Sequence, residues 1–456
     1  MRVRGRGAGL AHSRPLLLVA FAFAVMADPV SSIAYAVEAA LRALHGDLAL
    51  LVPTMVVVVA IIGLVVLNYR QLIDRYPEGG GAPAAAAEAF GDGWAFVPMG
   101  ALVVDFTLTI AISVAAAASA AVAFFPALVP WRVLIAVGLV FLVAVMTLLG
   151  HFGRLVFAAF TLAFVATAIT VLLFGAFAAP AEARPHPVPD GAGGIVPVLL
   201  AFPVAMALAT GVEAPSTAIA ELEELDDDGR RRFGTLTLWL MIGIVGTLTI
   251  GVAVEAARLG IGIPRSESTQ IAELARHVAP SAIFALFQLV TALLLLSAAS
   301  SSFQAGAGLL KALARGGDGS AGSVGVLPES LGRTNARHVP YWGTLLFAVL
   351  AAALAVAAQG SEQSLVLFYA VAVFMSFLAG LTSMAYFSHR EGRTGSLILN
   401  SVGVLIVAFT LMVNLLRGFP LGSVAVALAV AGIFYGMWVR DGRPRGLHSR
   451  RARARE

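Results

Sequence analysis

Cysteine is absent from the 456 residues, and only 12% of them are charged. The first absence removes disulfides, thiolate chemistry and most zinc sites together, and leaves the compartment open. The second is about half the roughly 25% charged residues of a soluble domain. Histidine is also poorly placed for chemistry, since all eight fall in loops or at the ends of apolar runs. No nucleophile-and-base set and no histidine cluster for a metal emerges, so an enzyme is not expected and no cofactor is called for. No nucleic-acid-binding module is visible either. What the chain does have is apolar residues, 59% of the total, and a mean hydropathy of +0.90. It reads as an all-α integral membrane protein.

A bilayer core about 30 Å thick needs roughly 20 apolar residues per helix. Twelve runs of about that length occur, at 16–44, 48–67, 94–124, 133–150, 154–176, 196–220, 233–254, 281–302, 341–358, 365–387, 396–416 and 423–438, the first and sixth of them interrupted. Their apolar residues run consecutively rather than alternating with polar ones, which excludes barrel strands. A twelve-helix membrane domain over 16–438 is therefore expected between a tail at 1–15 and a basic tail at 439–456. The first run resembles a signal peptide, but Pro29 and further apolar helix follow the small residue Ala27, so no cleavage is expected. The longest connections are 177–195, 256–280, where a short helix fits, and 316–340, none of them with room for a soluble domain.

With the amino terminus inside, the inner segments hold 23 of the 30 Lys and Arg residues, and Arg42, Arg132, Arg184, Arg258, Arg265, Arg276 and Arg417 are left outside. This positive-inside bias predicts both termini in the cytoplasm of a multi-pass cell-membrane protein. Trp131, Trp342 and Trp438 sit at the ends of runs, where aromatic belts form. The pI near 9.7 and the arginine tail point to anionic headgroups rather than nucleic acid. The run ELEELDDDGRRR, 221–232, reads as a solvated juxtamembrane segment placed where an inner gate would lie. YPEGGG, 76–81, lacks the GK[ST] context of a phosphate loop and reads as a flexible turn.

Four acids lie inside apolar runs: Asp28, Glu38, Asp105 and Glu213. A carboxylate at bilayer depth costs about 2.5–3.5 kcal/mol even on the lenient insertion scale, so such groups face a cavity or a partner. No Lys or Arg lies deep in any run to neutralise them. Glu38, near the outer end of its run, reads as a solvated vestibule or helix-end residue. Asp28 is followed by Pro29, and Glu213 is flanked by Gly211 and Pro215. Helix-breaking residues thus accompany an acid in both the first and the sixth run. Interrupted helices at corresponding places in two halves mark the substrate site of transporters built from inverted repeats. If spans one to five and six to ten are such repeats, the two breaks meet at mid-membrane. Hydroxyls accompany the acids: Tyr35 is seven residues after Asp28, Thr109 four after Asp105, Thr210 three before Glu213, and Tyr369 lies in span ten. Span eight ends in the polar run SAASSSF. Carboxylate, hydroxyl and carbonyl oxygens are what a dehydrated alkali cation requires.

The segments ADPVSSIAY, VVDFTLT, TGVEA and LFYAVAVFMSF, with YPEGGG followed by GDGWAF, resemble the APC superfamily of secondary transporters, in particular its KUP-type and KimA-type proton-coupled potassium importers. The resemblance covers essentially all twelve spans. It implies a LeuT/APC-like 5+5 inverted repeat with broken helices one and six plus two extra helices. It also implies that Asp28, Tyr35, Thr109, Thr210, Glu213 and Tyr369 match positions used for potassium or for proton coupling. Three departures stand out: Phe106 replaces a tyrosine, span eight reads SSSFQAGAGL, and only 441–456 follow span twelve where those importers carry a cytosolic domain. DPVSS also lacks the glycine-rich break that receives a substrate carboxylate in amino-acid permeases of the superfamily.

The function expected is proton-coupled potassium uptake by alternating access. The cation would sit between the breaks on Asp28, Tyr35, Thr210 and Tyr369 with backbone carbonyls, and Glu213, Asp105 and Asp28 would carry the proton coupling. No other metal is expected, and a homodimer is compatible with this reading. An amino-acid or polyamine permease would keep the fold and change the ligand. A membrane-embedded sensor or enzyme is the rival from another class, for which no output domain or reactive constellation is present.

Overall fold

The computed structural model describes residues 14–150, 153–180, 194–222, 224–265, 267–315, 325–416 and 421–443. Arg2, Arg4, Arg6, Arg184, Arg417 and the tail beyond Arg443 lie outside them. The chain opens with α1 (Arg14–Val25), α2 (Ala27–Ser31), α3 (Ile33–Ala43), α4 (Leu48–Arg75), α5 (Gly81–Phe90) and α6 (Phe96–Phe124). It continues with α7 (Arg132–Leu148), α8 (Arg154–Phe177), α9 (Ile195–Ala205), α10 (Ala214–Ala218), α11 (Asp227–Leu259) and α12 (Gln270–Val278). The last third holds α13 (Ser281–Arg315), α14 (Glu329–Gly332), α15 (Tyr341–Ala357), α16 (Glu362–Arg390), α17 (Thr394–Leu416) and α18 (Leu421–Arg440).

All twelve apolar runs are helical. Ten helical segments among the described residues are long and apolar enough to cross a bilayer, and Pro15–Val25 and Tyr341–Ala357 are shorter apolar helices. This is a multi-pass membrane protein. The helix expected in the 256–280 connection is α12, whose first turn is capped by the Thr269 hydroxyl accepting from the Ala272 amide at 3.3 Å. Asp47 caps α4 in the same way through the Ala49 amide at 2.9 Å, and Asp226 caps α11 through Gly229 at 3.0 Å.

Helix α6 is the axis of the bundle, and 94% of its most apolar window is buried. Its small residues allow close packing with α13, α16 and α18. At Gly100 a methyl group would stand 2.5 Å from the Ala427 carbonyl of α18. Leu134, Leu155, Leu173, Leu405 and Ile433, on α7, α8, α17 and α18, are more than half exposed and face lipid. Trp131 and Trp342 are exposed at helix ends as an aromatic belt requires. Trp438 departs from that expectation, being buried with its ring 5.8 Å from that of Phe96.

At the arginine-rich end, the turn at 76–81 is packed against the sixth span, and the 221–232 run is solvated as expected, with Glu224, Asp226, Asp228 and Arg232 exposed, while bonds tie parts of it down. Gly79 has φ +90°, and a Cβ there would lie 2.8 Å from that of Ala220, so the glycine run seats α5 against the end of the sixth span. In the 221–232 run, Asp226 is spent as a cap, Arg230 donates to the Leu222 carbonyl at 3.0 Å, and Arg231 donates to the Asp74 carbonyl at 3.0 Å. Arg75 binds Glu88 at 2.6 Å and Glu391 at 2.7 Å with its guanidinium 3.7 Å above the Phe387 ring, which ties α4, α5 and α16 together. Its hydrogen bond holds the Glu391 carboxyl below the usual carboxylate range, so this clasp stays ionised at neutral pH.

Candidate functional site

The two interruptions expected in the first and sixth spans exist, but they are unequal. In the first, Pro29 has no N–H to donate to the Val25 carbonyl, and α1 ends there. The chain nevertheless keeps helical turns through α2 into α3, with Met26 and Ser32 as the only joints. The Ser31 hydroxyl donates to the Asp28 carbonyl and that of Ser32 to the Pro29 carbonyl, both at 2.7 Å. Those two carbonyls each accept a serine hydroxyl, which leaves the Val25 carbonyl as the one that Pro29 frees. The sixth span opens further. After the tight turn at Met206–Ala209, Thr210 is extended and Gly211 has φ +74°, before α10 resumes at Ala214.

These breaks meet. A Cβ on Gly211 would stand 2.8 Å from Pro29 Cδ and 3.0 Å from both Cβ and Oδ2 of Asp28. The Ser32 hydroxyl also reaches the Leu208 carbonyl at 3.3 Å, 176 residues away. Around this contact the structure gathers the acids and hydroxyls picked out from the sequence. Asp28 acts electrostatically on Tyr35 and feels Asp105, Glu213 feels both of those acids, and Tyr369 feels all three. The Tyr35 hydroxyl faces Thr210 and that of Tyr369 faces Asp105.

Asp28 is partly exposed, whereas Tyr35, Asp105, Thr109, Thr210, Glu213 and Tyr369 are all buried. Among the described residues, no arginine or lysine pairs with Asp28, Asp105 or Glu213. Their inward oxygens are also without hydrogen-bond partners: Oδ1 of Asp28 and of Asp105, Oε2 of Glu213, Oγ1 of Thr109 and the hydroxyl of Tyr369. Thr210 differs, because its hydroxyl donates to the Ala207 carbonyl at 2.6 Å and only its lone pairs remain available. Polar groups buried in a native protein are nearly always paired. Such a concentration of unpartnered carboxyl and hydroxyl oxygens can hold a cation or take up protons.

Two unpaired hydroxyls in the same region escaped the sequence reading. Ser113 lies four residues beyond Thr109 and completes an Asp105–Thr109–Ser113 line on one face of α6. Tyr69 comes from α4. The i, i+4 spacing from Thr109 was a signal for the first, and nothing local marked the second.

Residues 16–438 match the amino acid permease family. The chain belongs to that family. The potassium transporter KimA of Bacillus subtilis strain 168 is 28% identical over 408 residues, 86% of this chain, and the match spans 65% of that relative's own length. Among solved structures, a variant of the Eremococcus coleocola manganese transporter superposes with a TM-score of 0.51 at 13% identity, over 94% of this chain and 95% of that one. The same transporter bound to an aromatic bis-isothiourea compound gives 0.50 at 12% identity, over 94% and 95%. At such identities the likeness speaks for the fold. Over residues 16–438 the chain is a secondary transporter of the APC type.

At the end of the permease opposite the clasp, a cleft of about 480 Å³ is lined by Glu38, Arg42, Arg132, Arg265, Ser268 and Glu362, among others. Glu38 is not the solvated residue expected. It is 2% exposed, accepting from Arg42 Nε at 2.8 Å and from the Gln270 amide at the start of α12 at 2.9 Å. One carboxylate thus latches α12 onto α3. Gln363 closes the floor by donating to the Tyr35 carbonyl at 3.3 Å. Because the chain has no cysteine, Ala39→Cys in the cleft lining reports opening without background. Adding Glu38→Gln is expected to raise thiol labelling about tenfold, since charge-assisted hydrogen bonds are worth roughly 1.5–3 kcal/mol. An unchanged rate would show that Glu38 latches nothing.

Proposed function

We propose that this transporter carries potassium into the cell together with a proton. The observation that carries the reading is the set of unpartnered oxygens of Asp28, Asp105, Glu213, Thr109 and Tyr369 around the meeting of the two breaks, with no basic side chain paired to the acids among the described residues. Three carboxylates within electrostatic reach of one another repel strongly in a medium of low dielectric unless a cation or a proton sits among them. An anionic substrate would add to that repulsion. The oxygens of Asp28, Tyr35, Thr109, Thr210 and Tyr369 replace part of the hydration shell of a large monovalent ion, and Glu213, Asp105 and Asp28 exchange the proton that offsets its charge. The printed function of the Bacillus subtilis relative, potassium transport, supports the choice of ion.

In this reading the arginine-rich end faces the cytoplasm of a cell-membrane protein, and the cleft at Glu38 faces outward. Rocking of one helix bundle against the other opens the site alternately to the two sides. The Glu38 latch and the Arg75 clasp lie at opposite ends, as two gates would.

The test is uptake of a radioactive potassium surrogate by purified protein in liposomes, with and without an inward proton gradient, beside empty vesicles. Uptake stimulated by the gradient is expected. Uptake indifferent to the gradient removes the coupling, and no uptake by demonstrably folded protein removes potassium and turns the search to organic cations and amino acids.

A further inference from the structure

At the arginine-rich end, the connection that leads from span eight into span nine forms a corner beside the lipid-facing side of α15. The Val326 and Leu327 amides both donate to the Leu313 carbonyl of α13, at 2.7 and 3.1 Å, and Arg315 Nε donates to the Gly332 carbonyl at 3.0 Å. The short helix α14 is thereby fixed against the end of α13. Asn335 Nδ2 donates to the Leu148 carbonyl at 2.8 Å and Arg337 donates to the Leu149 carbonyl, which pins the following residues to the end of α7. Between α14 and α15 this frame leaves a cleft of about 610 Å³.

The two sides of the cleft differ in chemistry. Ser330 and Arg333, both exposed, form a polar rim. The wall is Trp342, Leu345, Leu346 and Val349, at the i, i+3, i+4, i+7 spacing of one helical face. From the start of α15 that face runs about 10 Å into the apolar span, and its four side chains are 42–54% exposed. Arg315 and Arg337 are engaged with backbone carbonyls, whereas the Arg333 guanidinium has no ion pair or hydrogen bond among the described residues. Glu329, the acid of α14, is not part of the lining.

We infer that this cleft holds one anionic phospholipid of the adjoining leaflet, with its phosphate on Arg333 and Ser330 and an acyl chain along Trp342, Leu345, Leu346 and Val349. A soluble anion would use the rim and leave the wall uncovered. A hydrocarbon tail alone would cover the wall and leave Arg333 without a counter-charge. Phosphate and hydrocarbon in one molecule satisfy both, and the planar guanidinium fork matches phosphate oxygens. An anionic headgroup is favoured over a zwitterionic one, because choline would bring a second cation beside Arg333. Trp342 stands at the junction, where an amphipathic ring sits at headgroup level. The lipid bridges α14 and α15 and steadies the corner between spans eight and nine, whatever ion the protein carries.

The experiment follows the thermal midpoint of the full-length protein in detergent as phosphatidylglycerol or phosphatidylcholine with identical acyl chains is added, with inorganic phosphate as a third arm. Phosphatidylglycerol is expected to stabilise the parent at a concentration about tenfold lower than phosphatidylcholine, the scale of one charge-assisted hydrogen bond. Arg333→Gln removes the charge from an exposed side chain and is expected to raise the phosphatidylglycerol concentration needed by about the same factor. Leu346→Trp fills the wall, leaves the rim intact and is expected to act alike; it decides the matter if Arg333→Gln does not fold. Arg70→Gln, at an exposed arginine of α4 outside the cleft, is expected to stay within about twofold of the parent. Equal responses of the parent to the two lipids overturn the site, as does an Arg333→Gln protein that responds like the parent. A loss in Arg70→Gln as large as in Arg333→Gln also overturns it, since that marks diffuse attraction to a basic surface. Stabilisation by inorganic phosphate that Arg333→Gln abolishes and Leu346→Trp preserves gives the rim to a soluble anion and overturns the lipid.

Discussion

Asp28→Asn and Glu213→Gln each bring gradient-driven potassium uptake down by on the order of 100-fold or more, while the thermal midpoint of the ligand-free protein stays level or rises. A cation about 4 Å from a carboxylate gains about 4 kcal/mol at an effective dielectric of 20, which corresponds to roughly a thousandfold in affinity. The amide oxygen that remains recovers part of this. Stability moves the other way because each acid repels its neighbours: Asp105 acts on Asp28, and both act on Glu213, with no guanidinium to compensate. Neutralising one member relieves that repulsion in the folded state. Such opposed effects on stability and activity mark a functional site rather than a structural one. Uptake assays beside thermal unfolding in detergent read both quantities. Full uptake in both variants would remove the acids from the mechanism.

Gly211→Ala is the second large effect. The position has φ +74°, where an L-residue with a Cβ pays about 1–2 kcal/mol. That Cβ would stand 2.8 Å from Pro29 Cδ and 3.0 Å from Asp28 Cβ. Neither atom can rotate aside, because one belongs to a ring and the other sits directly on the backbone, and overpacking of this kind costs about 1–3 kcal/mol more. The two breaks must move apart, taking Asp28 away from Thr210 and Glu213. Transport is expected to fall below detection and the thermal midpoint to drop. Gly63→Ala on α4, where an added Cβ meets nothing within 4 Å, serves as the control and leaves both quantities near those of the parent. Uptake at the parent rate by Gly211→Ala would show that the contact between the breaks is not needed.

Different residues were legible for different reasons. Asp28, Asp105 and Glu213 are local anomalies, charges inside apolar runs, and needed no structure to be noticed. Glu38 is the same anomaly with the opposite meaning. Its bond to Arg42 is an i, i+4 pair that the sequence displays, but its bond to the Gln270 amide spans 232 residues, and only together do they turn a solvated acid into a latch. Tyr69 carried no local signal, because tyrosine is ordinary in membrane helices, and Ser113 had only its i, i+4 spacing from Thr109. What distinguishes Tyr69 and Ser113 is burial without a partner, a property of their surroundings rather than of the residues.

The amino-acid order alone determined that the chain lies in a membrane, that twelve apolar runs form helices, and that two of those runs are interrupted beside an acid. Each of these follows from composition over about 20 residues or from one proline or glycine, because lipid obliges every backbone amide to bond within its own helix. Tertiary structure decided that Gly211 rests on Pro29 and Asp28, that the Ser32 hydroxyl reaches across to the Leu208 carbonyl, and that Glu38 holds α12. Those are contacts between side chains of exact shape, several of them between residues far apart in the chain, and no local rule of hydrophobicity or spacing encodes which oxygen is left without a partner once the helices have packed.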